Sequence, residues 1–431
     1  MDGSPSIAFI TLGCPKNEVD SDRMSALVAA STYRLVHDID QADVAVLNTC
    51  GFITDAVEES IATALELADW RDARSGRALI VTGCMVSRYG HELADAMSEA
   101  DAFVSVADES TLLEVVERLT SAAPAPTAGP ARMAGGVSEY LQVADGCHRA
   151  CAYCTIPAIR GEYRSHSLDQ LATEAELLVS RGAKEIVLIG QDTSSWGRDL
   201  TGDDDIATVI QAVAAVPGLE WLRVMYVQPD TVSARLIDTL ASLDPVRHYL
   251  DIPLQHVSPT VLRAMHRTGS AETFLALIDR LRTAMPDIAL RSTFIAGFPG
   301  ETESDLDMLL DFISEAALDY VGVFPFSPEE GTAAAHLPDQ LVEAERLERA
   351  SRIREAADSV SLTRAARRIG AVVDVLSEGL DPEGFPIGRW SGQAPEVDGY
   401  VMLDRAVAPG RIIPVRIDAS YGYDLEGEVI A

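Results

Sequence analysis

Six cysteines occupy this chain in two patterns, and any fold it adopts must reconcile them. Cys147, Cys151 and Cys154 share one short run, Cys-x3-Cys-x2-Cys, whereas Cys14, Cys50 and Cys84 are dispersed. Each dispersed cysteine stands just past an apolar stretch, in Leu12-Gly13-Cys14, Asn48-Thr49-Cys50-Gly51 and Thr82-Gly83-Cys84. They are 36 and 34 residues apart, one strand–helix unit each. Ligands of open α/β sheets gather outside the carboxyl ends of the strands, so cysteines at equivalent ends can converge on one crevice. Thiolates are soft ligands suited to iron–sulfur clusters. Three of them on a four-iron cube leave one iron free to bind a substrate or cofactor. Two such triads suggest two clusters. The competing readings are three unrelated core cysteines for the dispersed set and a Cys3His zinc site using His148 for the compact one.

The rest of the chain supplies the strands that this placement needs. Ile7–Leu12, Val44–Leu47 and Ala78–Val81 read as buried strands followed by amphipathic helices, one over Asp55–Asp69 with Asp55 as N-cap. Strands alternating with helices imply a parallel, doubly wound sheet. Leu119–Val137 turns to Ala, Pro, Thr and Gly and reads as a linker that lets the first domain fold over the second. A helix from Ser167 to Gly182 follows, and strands are expected near Tyr140–Ala144 and at Glu185–Gly190, Trp221–Val227, Tyr249–Pro253, Leu290–Gly297 and Tyr320–Phe326. Six repeats fall short of an eight-stranded barrel. After a charged helical run over Val342–Ile369, short strands at Ala371–Leu376, Tyr400–Leu403 and Ile412–Ile417 suggest a small antiparallel barrel of the OB type. The expected fold is therefore α/β and multidomain. It comprises a doubly wound parallel α/β domain (1–120), a linker (121–136), a partial TIM barrel (137–365) and a small antiparallel β-barrel (366–431).

Bulk properties narrow the class. In 431 residues, 47% hydrophobic content excludes a largely disordered protein. Six cysteines are too sparse for a disulfide scaffold and fit ligand roles in a reducing cytoplasm. The start Met-Asp-Gly-Ser-Pro has no basic, apolar leader, and no apolar run reaches 18 residues, so neither secretion nor a membrane span is expected. The net charge of −33 opposes non-specific nucleic-acid binding and favours basic partners.

The compact cysteine run resembles the cluster loop of the radical S-adenosylmethionine superfamily. The resemblance implies a 4Fe–4S cluster on Cys147, Cys151 and Cys154 whose fourth iron binds S-adenosylmethionine and drives its cleavage to a 5′-deoxyadenosyl radical. It places Tyr153 against the adenine. Gly190-Gln191-Asp192 would receive the methionyl amine, and Gly297-Phe298-Pro299-Gly300 would be the glycine-rich turn beside the cofactor. Gln255, with Asp251 and His256, would line the ribose or substrate side.

The whole chain resembles the methylthiotransferases, which join a three-cysteine domain, a radical S-adenosylmethionine barrel and a TRAM barrel. By that resemblance Cys14, Cys50 and Cys84 hold an auxiliary 4Fe–4S cluster that carries the sulfur. One S-adenosylmethionine methylates that sulfur, and a second yields the radical that opens the carbon. One branch of the family modifies the β-carbon of an aspartate in small-subunit ribosomal protein twelve, and another an adenosine beside the tRNA anticodon. Leu12-Gly13-Cys14-Pro15-Lys16-Asn17, Ile159–Ser165 with Tyr163, Asp251–His256 and Gly422-Tyr423-Asp424-Leu425 resemble the ribosomal-protein branch. Residues 366–431 carry six Arg and no Lys against eleven Asp and Glu, ill suited to gripping phosphates and well suited to a basic protein. An electron donor such as flavodoxin or ferredoxin and a sulfur source are implied as partners. A tRNA methylthiotransferase and a non-catalytic iron–sulfur or zinc redox sensor are the alternatives.

Overall fold

The structure is a computed structural model that describes residues 4–127, 129, 132–133 and 135–430. The first three residues of the start and positions 128, 130, 131 and 134 of the expected linker lie outside the described residues.

Five parallel strands open the chain: β1 (Ser6–Thr11), β2 (Arg34–Leu35), β3 (Val44–Thr49), β4 (Ala78–Gly83) and β5 (Ala102–Ser105), ordered β2-β1-β3-β4-β5. The order reverses between β1 and β3, so the loops leaving these strands part to opposite faces and open a crevice. Thr11 pairs with Asn48 and Thr49 with Gly83, which brings the three strand ends level. Helices α1 (Pro15–Ala29), α2 (Thr54–Asp72), α3 (Cys84–Ala96) and α4 (Leu112–Thr120) cover the sheet. Asp55 is not the N-cap of α2. The cap position is Ile53, and the Thr54 N–H donates to Glu329 Oε1 at 2.8 Å, a carboxylate from the next domain. Asp55 lies in the first helical turn.

The described part of the linker lies against both domains. Thr127 N–H donates to Ala30 O at 2.8 Å, and Tyr33 OH to Ala122 O at 2.6 Å. Arg132 is buried between Asp22 and Glu174.

In the second domain, β6 (Ser138–Gln142) leads through a two-stranded hairpin, β7 (Ala144–Asp145) and β8 (Arg164–Ser165), to β9 (Glu185–Ile189), β10 (Trp221–Val224), β11 (Val246–Asp251), β12 (Ala289–Ala296) and β13 (Tyr320–Pro325). β6 and β9–β13 are parallel and adjacent in chain order. Right-handed crossovers that always add the next strand on the same side keep the helices on one face, so the other face curls inward. With six strands the curl stays open. The helix Leu168–Ser180 starts where the sequence implies, with the Ser167 hydroxyl accepting from Gln170 N.

The helix Glu343–Ala366 leads to β14 (Val372–Leu380), β15 (Pro386–Trp390), β16 (Val401–Leu403), β17 (Ile412–Tyr421) and β18 (Asp424–Val429), a closed barrel ordered β14-β15-β16-β18-β17. Four pairings are antiparallel, and β16 with β18 is parallel. An odd ring of strands cannot alternate direction all the way round, so closure requires one parallel pair. This barrel seats on the starts of the central strands. Glu185, the first residue of β9, is fully buried and bonds Arg223 Nε at 2.9 Å and Arg389 Nη2 at 2.5 Å.

Candidate active site at the two cysteine trios

Cys14 precedes α1, Cys50 precedes α2 and Cys84 opens α3, so all three sit at the carboxyl edge of the first sheet. Two glycines let the loops close up. Gly13 has φ +102°, and a Cβ there would stand 3.0 Å from Cys50 Cβ. Gly83 has φ +95°, and a Cβ would lie 2.2 Å from Asn48 Oδ1. Both backbone conformations suit glycine alone. Asn17, fully buried, stitches the turns together. Its Nδ2 donates to Leu12 O and Thr49 O, each at 2.9 Å, while its Oδ1 lies 3.8 Å from Cys14 Sγ and 3.6 Å from Cys84 Sγ. Burial pushes the Cys50 thiol up and the Cys84 thiol up to about 12, with nearby Arg160 opposing both shifts.

The compact trio follows the β6–β7 strand end. Cys147 N–H donates to Gly161 O, Ala152 N–H to Met265 O and Cys154 N–H to Cys151 O, at 3.2, 3.0 and 3.1 Å. Arg149 N–H points at Cys147 Sγ at 3.4 Å, and Arg267 Nη1 stands 3.9 Å from Cys151 Sγ. Burial raises the Cys147 thiol and lifts Cys154 to about 12.

The two loops touch. Thr155, next to Cys154, donates its hydroxyl to Phe52 O at 3.1 Å, two residues beyond Cys50. Helix α5 (Ile156–Arg160) then carries Arg160 across the domain junction, where Nη2 reaches Asp20 Oδ2 at 2.7 Å, Asn17 Oδ1 at 3.0 Å and Cys84 Sγ at 3.5 Å. Lys16, also buried, lays its ammonium 3.1 Å over the ring of Tyr226 in the central domain. Burial pushes that ammonium down to about 8, with Cys14 opposing.

The other expected residues take more local roles. Tyr153 packs half-buried on the central core. Gly190-Gln191-Asp192 follows β9, and the fully buried Asp192 carboxylate already accepts from Arg149 Nε at 2.5 Å, Ser194 Oγ at 2.8 Å and Ser195 Oγ at 2.7 Å. It thereby braces the cysteine loop through Arg149. Gln255 (φ +70°) bonds β12 through its backbone, its N–H to Thr293 O and its O to Ile295 N, both at 2.8 Å. Asp251 pairs with Arg291 at 3.1 Å, and His256 Nε2 lies 3.5 Å from Glu301. Glu301 also gathers the turn at Gly297 and Phe298, accepting from Gly297 N at 2.9 Å and Phe298 N at 3.4 Å, while Gly300 N–H donates to Asp339 O at 3.0 Å. Phe298 is fully buried against Phe326.

Sequence reasoning did not single out Asn17, Lys16, Asp20, Arg149, Arg160 or Arg267. Lys16, Asn17 and Arg160 stand in stretches that carried the family resemblance, a signal without a role attached. A separate cavity of about 840 Å3 lies where the first domain, the linker and the C-terminal barrel meet, lined by Glu18, Glu139 and Glu396 among others and by no cysteine. The cysteines lie at the packed junction of the two domains and not in that cavity.

A three-cysteine doubly wound domain, an open parallel half-barrel with Cys-x3-Cys-x2-Cys after its first strand, and a closed five-stranded barrel define a radical S-adenosylmethionine enzyme of the sulfur-transferring kind. Residues 141–313 match the Radical SAM superfamily, 6–105 the Uncharacterized protein family UPF0004 and 369–430 the TRAM domain. Curated relatives named ribosomal protein uS12 methylthiotransferase RimO include one from Geobacter sulfurreducens, 40% identical over 99% of this chain and 98% of its own length. One from Moorella thermoacetica is 42% identical over 98% and 99%. The chain belongs to the ribosomal protein uS12 methylthiotransferase RimO family. Among solved structures, the radical S-adenosylmethionine methyltransferase TsrM from Kitasatospora setae superposes with a TM-score of 0.56 at 14% identity, over 86% of this chain and 80% of that one. That likeness concerns the fold alone.

Proposed function

We propose that this protein inserts a methylthio group at the β-carbon of an aspartate in ribosomal protein uS12, using two 4Fe–4S clusters and S-adenosylmethionine. Cys147, Cys151 and Cys154 would hold the radical-generating cluster, and Cys14, Cys50 and Cys84 the auxiliary one. The donor chemistry fits: each trio is three free thiols, and thiolates are the ligands of iron–sulfur clusters. Among the described residues no three His, Cys, Asp or Glu side chains converge tightly enough for a single ion. When bound, these groups supply a radical able to take hydrogen from an unactivated carbon, and the sulfur that replaces it. The observation that carries the reading is the direct contact of the two cysteine loops through Thr155 with Phe52 and Arg160 with Cys84.

The chain's own residues then do the holding. Arg149, fixed by Asp192 and Asp230, orients the loop from within. Arg267 braces Cys151 from outside while donating to Pro253 O at 2.7 Å. Lys16 on Tyr226 closes the junction against water, which protects a reactive radical from side reactions. The acidic C-terminal barrel suits a Lys/Arg-rich protein partner. No helix among the described residues is long and apolar enough to cross a membrane. With that reading go a cytoplasmic location, an electron donor such as flavodoxin or ferredoxin, a sulfur source, and a division at residues 120, 136 and 365.

Mass spectrometry of cells lacking the protein tests the proposal. uS12 should lose its methylthio increment while tRNA nucleosides stay unchanged. Loss of the tRNA increment with uS12 intact would overturn it in favour of the tRNA branch.

A further inference from the structure

Arg160 uses only part of its guanidinium. All of its contacts, to Asp20, Asn17 and Cys84, run through Nη2. Nε and Nη1 are buried and have no hydrogen-bond partner among the described residues, on a side chain 2% exposed. Guanidinium is always charged and presents a rigid fork of donors. Buried charged donors without an acceptor are strongly unfavourable, so the fork has room for an anion beyond Asp20; the Glu109 carboxyl stands near the guanidinium but makes no hydrogen bond to it. Among the described residues Asp20 is its only carboxylate partner within ion-pair distance. The guanidinium stands close enough to Cys14, Cys50 and Cys84 to interact with all three.

We propose that Arg160 is a positioning residue of the auxiliary centre, donating from Nε and Nη1 to an anionic sulfur atom held at the Cys14/Cys50/Cys84 crevice. The inference rests on the assignment of a cluster to those cysteines. Because Arg160 ends a helix that starts two residues after Cys154, the same side chain sets the distance between the sulfur and the compact trio. It belongs to the barrel yet completes the first domain's site.

The test uses the full chain with Cys147, Cys151 and Cys154 all replaced by Ala, so that a single cluster can load. N–H donors and positive charge near a cluster favour its reduced form. Arg160→Met should lower the one-electron reduction equilibrium constant at least tenfold, a midpoint about 59 mV more negative, in a titration followed by electron paramagnetic resonance. Methanethiol, added as the sulfur probe, should bind the loaded cluster at least tenfold more weakly. Arg160→Lys keeps the charge without the fork and should recover part of both losses. Unchanged potential and methanethiol affinity in Arg160→Met, at full iron content, would reduce Arg160 to an interface ion pair. If Arg160→Met fails to load iron, Arg160→Lys carries the comparison, and parental values there overturn the proposal. Absence of any cluster in the parent triple variant would instead overturn the assignment to Cys14, Cys50 and Cys84, and this inference with it.

Discussion

The two cysteine trios reach similar chemistry by opposite constructions. The compact trio lies in one loop whose backbone bonds hold it, tied to the rest of the barrel by Ala152 N–H to Met265 O, Ala334 N–H to Ala152 O and Arg149 to Asp192. The dispersed trio exists only because β1, β3 and β4 pair in register and because Asn17 bridges their turns. A local site survives damage elsewhere, whereas an assembled one inherits the stability of its sheet.

The largest effects should come from the cysteines themselves. Cys151→Ala is expected to abolish S-adenosylmethionine cleavage, while Cys50→Ala leaves cleavage partly intact and stops sulfur insertion; both are read by chromatography of 5′-deoxyadenosine and by the mass of uS12. Full product from Cys50→Ala would break the comparison outright.

Next comes a site remote from both trios. Glu185 opens its strand, whereas the cysteines follow strand ends. Burial works to raise its carboxyl, but Arg389 and Arg223 prevail and hold it at about 2, below the ordinary 4.5. Its folded-state value is depressed, so its stabilisation is complete above about pH 4.5 and fades as pH falls toward about 2. Glu185→Gln removes the buried charge that faces two buried guanidinium groups and should cost about 3–5 kcal/mol at pH 7. Denaturant titrations at pH 7 and pH 3 should show the gap to wild type narrowing at the lower pH. At a temperature where the variant remains folded, iron loading of both trios should be spared equally.

Gly83→Ala sharpens the contrast at smaller scale. The strained φ should cost about 1–3 kcal/mol, and the new methyl meets Asn48 Oδ1. Iron at the dispersed trio should fall while cleavage of S-adenosylmethionine at the compact trio persists. Equal loss at both would mean that the trios are not independent. The smallest effect belongs to Asp55→Ala, expected to stay under about 1 kcal/mol because it removes only a charge in the first helical turn. A larger loss in thermal unfolding would return the capping role to Asp55 from Glu329.

Much of the architecture was legible because its signals are local. Apolar runs marked β1, β3 and β4, and six such runs marked the open half-barrel. The C-terminal turn residues marked a small barrel, although its one parallel pair follows from closing an odd ring and from nothing in the residue pattern. Asp55 misled because a helix N-terminus accepts any well-placed carboxylate, and Glu329 arrives from 275 positions away. Asp192 was readable as a polar residue at a strand end, but its engagement with Arg149 was not.

The order of residues determined on its own which sulfur atoms stand at strand ends and which share a loop, since strand, turn and spacing are properties of neighbours. Only the tertiary structure decided that Arg160 crosses 76 positions to Cys84 with donors to spare, and that Lys16 settles on Tyr226. The energy of a buried charge depends on what surrounds it after water has left, and those surroundings come from segments far apart along the chain.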